Sequence, residues 1–280
     1  MTGDPLVSAI WLKENVDAPN VQVLDATWVP PFLKDRPNGR ANFHAGHIPG
    51  AGFFDIDEIA DTETALGHML PKPSVFSDSA GSLSVSNTTH VIVYDNNGFF
   101  ASARVWWMFR AMGHDKVSVL DGGLSAWKSA GGSLETEITT PRPASFKATL
   151  TDSLVRDQNA MRAHIDAQNA HVLDARDNGR FSGSAPEPRP DLPSGHMPGS
   201  FCVPASALIS SENTLKSAKD LSPMLEQFLH GPVVTSCGSG VSAAVTALAL
   251  ARLGKWDAAL YDGSWSEWAA HSDNPIATAP

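Results

Sequence analysis

The hexapeptide VQVLDA at residues 21–26 returns as AHVLDA at residues 170–175, so that Asp25 and Asp174 stand 149 residues apart. AGHIPGA at 45–51 returns as SGHMPGS at 194–200, again with 149 residues between His47 and His196. VLDGGLSAW at 119–127 returns as LYDGSWSEW at 260–268, here with 141 residues between Asp121 and Asp262. Three matches in one order, at a nearly constant offset, mean one structural unit written twice. That limits what the 280 residues can fold into: two similar domains, each able to bury its own core. The seam is expected in SAGGSLETEITTPRPAS, residues 129–145, where a glycine pair and two prolines disfavour a helix or a central strand. This gives an N-terminal domain over 1–130, a linker over 131–145 with its boundary near Pro143, and a C-terminal domain over 146–280.

Inside each copy, short apolar runs alternate with helical patterns. VQVLDA, HVIVYD and KVSVLD read as buried strands, and SARVWWMFRAMG at 102–113 as a helix stopped by glycine. In the second copy HVLDA, PVVTSC and AALYD are the strands, and VSAAVTALALARLG is the helix. Strand–helix–strand succession needs a crossover to return the chain, so the expected class is α/β, with parallel sheets covered by helices on both faces. A hydrophobic fraction of 42% with 18% charged residues is that of a globular chain. A net charge of −10 argues against a nucleic-acid or anionic-membrane surface, which needs clustered Lys and Arg. No apolar run approaches the roughly 20 residues that span a bilayer, and the start of the chain lacks a basic segment leading into an apolar one. A cytoplasmic enzyme is expected. No Cys/His cluster has the spacing of zinc ligands, so neither a metal nor an organic cofactor is expected.

The chain has two cysteines, and neither context suggests a disulfide. Cys202 in GSFCVPAS reads as a buried filler. Cys237 in VVTSCGSGVSAA falls at the end of a strand, one short loop before a helix, and ligands of open parallel sheets bind at that carboxyl edge. The small residues of CGSGVS let backbone N–H groups turn inward, and the start of the helix adds positive potential. Such a loop is expected to stabilise a thiolate and make Cys237 a nucleophile.

These residues together carry a resemblance. The tandem copies, GHIPGA and GHMPGS, DGG…W and DGS…W, and CGSGV resemble the rhodanese (sulfurtransferase) superfamily over nearly the whole chain. The resemblance implies that only the second domain is catalytic, and Asp95, which aligns on Cys237, agrees. Members that use thiosulfate carry an Arg and a Lys directly after the cysteine, where this chain has Gly238 and Ser239. CGSGV is similar instead to members that take sulfur from 3-mercaptopyruvate. In those, the arginines matching Arg180 of NGRFSG and Arg189 of APEPRP hold the carboxylate and keto oxygen. A planar guanidinium suits that task because it can grip a carboxylate through two parallel hydrogen bonds. The resemblance adds the backbone of Gly238, Gly240 and Val241, and Arg104 of SARVWW, to the substrate-binding set. It places the site in an interdomain cleft. It also implies a proton relay of Ser239, His47 and Asp35.

The implied reaction is sulfur transfer from 3-mercaptopyruvate through a Cys237 persulfide to a thiol such as thioredoxin, or to cyanide, with release of pyruvate. Two alternatives stay open: a thiosulfate:cyanide sulfurtransferase, and a low-turnover persulfide carrier that delivers sulfur to a partner protein. Phosphatases on this scaffold carry an arginine six residues after the cysteine, and here that position is Ala243.

Overall fold

The computed structural model describes residues 3–30, 33, 36–138 and 141–278. It divides into two units, the first comprising 1–62, 70–151 and 211–215, the second 63–69, 152–210 and 216–280.

In the first unit five strands, β1 (Leu6–Val7), β2 (Val21–Asp25), β3 (Gly52–Phe53), β4 (His90–Tyr94) and β5 (Val117–Leu120), form one sheet in the order β1-β5-β4-β2-β3. In the second, β6 (Val155–Arg156), β7 (His171–Asp174), β8 (Phe201–Cys202), β9 (Val233–Ser236) and β10 (Ala259–Tyr261) form another in the order β6-β10-β9-β7-β8. Every pairing is parallel, and the two orders are the same once the repeat is allowed for. Helices α1 (Ala9–Asn15), α2 (Gly39–Ala45), α3 (Pro73–Ser82), α4 (Ser102–Ala111) and α5 (Gly123–Ser129) flank the first sheet. Helices α6 (Gln158–Ala167), α7 (Asn178–Ser182), α8 (Ala218–Leu225), α9 (Ala243–Arg252) and α10 (Ser264–Trp268) flank the second. The α/β class and the doubling expected from the sequence are both present.

Local chemistry sets the element ends. Ser8, Asp157 and Asp177 each accept a backbone N–H of the helix they open, stabilising it by about 1 kcal/mol apiece. Gly113, at φ +79°, closes α4 as expected. The repeated tryptophans Trp127 and Trp268 are buried under their sheets, each worth about 1.5–3 kcal/mol. Their indole N–H groups donate to Ser133 O and Pro275 O.

Beyond α5 the chain is tied back to the first unit: the Trp127 indole N–H donates to Ser133 O, Ala144 N–H donates to Gly81 O at 2.9 Å, and Thr151 N–H donates to Ala111 O at 2.7 Å. The chain stays with the first unit through residue 151. These are single irregular contacts, one from a side chain and two from backbone, with no periodic pattern to announce them. Among the described residues no helix is long and apolar enough to cross a membrane.

Candidate active site

Register positions the nucleophile. Asp174 of β7 lies beside Ser236 of β9, so Cys237 begins the loop at the carboxyl edge of the two central strands. Its backbone is pinned on both sides. Cys237 N–H donates to Ser264 Oγ at 3.1 Å, and Cys237 O accepts from Trp265 N–H at 2.9 Å. Gly238 O accepts from Ser266 N–H at 3.0 Å and from the Ser266 hydroxyl. Gly240 takes φ +76°, a turn that a side chain would oppose. Cys237 is 2% exposed, Val241 is buried, and the Ser239 hydroxyl makes no hydrogen bond among the described residues.

Ser264 itself is buried at φ +51°, and its hydroxyl donates to Tyr261 O at 2.9 Å. Its counterpart Gly123 takes φ +54°. A serine there costs about 1–2 kcal/mol of backbone strain, which its two hydrogen bonds offset.

The two arginines expected at the site do meet the loop. A Cβ at Gly238 would lie 2.9 Å from Arg180 Nη2 and 3.7 Å from Arg189 Nη1, so the missing side chain leaves room for both guanidinium groups. α7 carries Arg180, and the segment after it carries Arg189. Arg180 is tied to the carboxylate of Glu187, which is in turn tied to Arg176, and Arg176 to Asp174. Arg176 is fully buried with its guanidinium 4.2 Å over the Trp265 ring. Burial opposes its charge, but the Asp174 and Glu187 carboxylates outweigh burial and hold it charged.

The first unit shows what such a loop does with an anion. The Asp95 carboxylate accepts from Phe99 N–H at 3.0 Å, Ala101 N–H at 3.1 Å and Ser102 N–H at 3.0 Å. In this first loop three inward-turned amides close on one negative charge.

Cys202 sits on β8, with its thiol donating to Arg176 O at 3.7 Å. Burial, then the charge of Asp174, pushes that thiol up to about 11, which keeps it protonated and unreactive near neutrality.

Three expected site residues require comment. His47 is 1% exposed, stacked on Phe43 at 3.9 Å, with Nδ1 on Phe43 O and Nε2 3.6 Å from Glu135. His196 repeats the arrangement, stacked on Phe181 at 3.9 Å with Nδ1 on Phe181 O. Both backbones bridge to the segment after the last helix of their own domain, at Glu135 and Ala277. The two histidines thus share one setting, a ring stacked on a phenylalanine with Nδ1 on that phenylalanine's carbonyl. Arg104 is fully buried, 4.5 Å over the Trp107 ring. Asp35 lies outside the described residues. Sequence reasoning passed over Arg176, Glu187 and Ser264; the signals for the last two were APEPRP itself and the serine in DGS where the other copy has glycine. Among the described residues no group of three His, Cys, Asp or Glu could hold a metal ion.

The rhodanese-like domain family matches at residues 8–130 and again at 157–271. A thiosulfate/3-mercaptopyruvate sulfurtransferase of Arabidopsis thaliana is 40% identical over 98% of this chain and 87% of its own length. A 3-mercaptopyruvate sulfurtransferase of Rattus norvegicus is 41% identical over 94% of this chain and 91% of its own. The crystal structure of SseA from Escherichia coli, described as a 3-mercaptopyruvate sulfotransferase, superposes with a TM-score of 0.85 at 36% identity, covering 94% of this chain and 99% of that one. With two matched domains, one of them built around Cys237, the chain belongs to the rhodanese family as a tandem-domain sulfurtransferase.

Proposed function

We propose that the sulfur donor is 3-mercaptopyruvate and that Cys237 carries the sulfur as a persulfide. The observation that carries the reading is the convergence of Arg180 and Arg189 on the space beside Gly238. A donor with a carboxylate distant from its sulfur can be held there while the sulfur faces Cys237. The Cys237 thiolate attacks the donor sulfur. The new S–S bond forms as the donor C–S bond breaks, and its electron pair passes into the enolate of pyruvate, which takes up a proton. Ser239, whose hydroxyl is uncommitted, is the proton-handling group of this reading. The persulfide charge is held by the loop amides, as the Asp95 carboxylate is held in the first domain. A thiolate acceptor, for which thioredoxin is the proposed protein, then attacks the outer sulfur and restores the Cys237 thiolate.

Steady-state rates with mercaptopyruvate and with thiosulfate, both with cyanide as acceptor, test the donor. Mass spectrometry for one extra sulfur on the Cys237 peptide tests the intermediate. A higher kcat/KM for thiosulfate overturns the donor assignment, and the absence of the adduct after donor alone overturns the persulfide.

A further inference from the structure

Two arginines line the loop, but their states differ. Glu187 is 1% exposed at its side chain and shared between two cations. Its Oε1 accepts from Arg176 Nη1 at 2.7 Å and from Arg180 Nε at 3.1 Å, and its Oε2 accepts from Arg180 Nη2 at 2.7 Å. Arg176 is held from behind by both oxygens of Asp174 and by Gly195 O at 2.7 Å. Asp174, Arg176, Glu187 and Arg180 thus form a chain of alternating charge that sums to zero. The Nε–Nη2 edge of Arg180, the edge best shaped for a carboxylate, is already used by Glu187. Arg189 makes no side-chain hydrogen bond or ion pair among the described residues. The space beside Gly238 therefore faces two guanidinium groups but only one uncompensated positive charge.

The scaffold does not require this arrangement. Matched through the phenylalanine under each GH histidine, Phe43 and Phe181, Arg180 corresponds to Asn42, and Arg176, two residues after the strand aspartate, to Thr27. The segment that carries Glu187 and Arg189 lies between α7 and GHMPG, where the first copy passes directly from α2 into GHIPG.

We propose that Glu187 is a specificity-determining positioning residue. By fixing and neutralising Arg180 it matches the site to sulfur donors with one negative charge and against dianions. This rests on the donor reading above. Removing the Glu187 charge leaves Arg180 next to the loop with only the exposed Asp177 carboxylate, 4.0 Å from its Nε, a longer and solvent-screened partner.

The test measures kcat/KM for mercaptopyruvate, a monoanion, and thiosulfate, a dianion, at pH 7, constant ionic strength and with cyanide as acceptor. It compares the wild-type protein with Glu187→Gln, Glu187→Asp and Arg180→Gln/Glu187→Gln. Glu187→Gln is expected to raise the thiosulfate-to-mercaptopyruvate ratio by about tenfold or more. Glu187→Asp, which keeps the charge, is expected to hold the ratio within about threefold. The double variant, which removes both charges, is expected to hold it within about threefold too, while kcat/KM falls for both donors. A folded Glu187→Gln protein with an unchanged ratio overturns the proposal, as does an equal shift in Glu187→Asp. Circular dichroism establishes folding; should Glu187→Gln unfold, the double variant decides, since a tenfold shift there contradicts the charge account. Wild-type rates alone test the donor reading, so a wild type that prefers thiosulfate fails that reading and leaves the change in ratio to decide this one.

Discussion

The loop after β4 and the loop after β9 are built on the same frame and hold opposite contents. In both, a glycine in the left-handed region, Gly98 at φ +84° and Gly240 at φ +76°, turns the chain. In both, the carbonyl of the first residue accepts an amide from the repeated DGG or DGS turn: Leu124 onto Asp95 and Trp265 onto Cys237. The first loop then contracts around the Asp95 carboxylate, which draws in three amides and leaves Phe99 at φ +62°. The second has no carboxylate; Val241 stays out of the left-handed region, and Ala244 N–H turns back to Val241 O at 3.2 Å. The first loop closes on its own carboxylate, and the second is built without one.

The comparison can be broken most severely at its centre. Cys237→Ser is expected to lower sulfur transfer by a factor on the order of 1000 or more, because no other group can carry the sulfur. Cys202→Ser is expected to keep most of it, and adding Asp95→Cys to Cys237→Ser is expected to restore none, since the first loop lacks the arginine pair. Rates with mercaptopyruvate decide all three.

Next in size is the loss of the uncompensated cation. Arg189→Ala is expected to cost about 2–4 kcal/mol of transition-state binding, roughly 30- to 1000-fold in kcat/KM for mercaptopyruvate. Arg180→Lys should also be poor, because a point charge cannot answer Glu187 and a substrate as a planar fork does. Near-normal kcat/KM in both variants would mean the carboxylate is held elsewhere.

Emptying the first loop is expected to act on stability. Asp95→Ala leaves three amide donors without their acceptor and should destabilise the fold by about 2–3 kcal/mol. Urea denaturation measures this, and an unchanged midpoint would show that the amides find other partners.

The smallest effect sharpens the likeness. Ser264→Gly makes the second turn match Gly123, relieving about 1 kcal/mol of strain while losing a hydrogen bond of similar worth. Thermal stability should change by under about 1 kcal/mol, whereas kcat should fall as the Cys237 amide loses its acceptor. A change in stability without a change in kcat would separate Ser264 from the loop.

Much of this was legible in the sequence because it is periodic or local. The repeat, the buried strands, the glycine stop of α4 and the strand–loop–helix address of Cys237 follow from patterns within a few residues. Arg180 and Arg189 were found by motif, and the structure brings both to Gly238. Glu187 was not found, although it lies two residues before Arg189 in the same motif. APEPRP pointed to the segment, but the role of Glu187 depends on its burial and on Arg176, which the motif does not state. His47 shows the converse: GHIPG is conspicuous in the sequence, but the stacking of the same ring on a phenylalanine in both copies is visible only in the structure.

The Asp95 carboxylate also gives the molecule an internal spectroscopic standard. The amide protons of Phe99, Ala101 and Ser102 report a loop closed on a carboxylate. The corresponding amides of Val241, Ala243 and Ala244 start from a different state in the same tube, under the same pH and salt. As sulfur loads onto Cys237, their nuclear magnetic resonance shifts should move toward the values the first loop displays throughout. The degree of filling could then be read along a catalytic cycle without labelling the substrate.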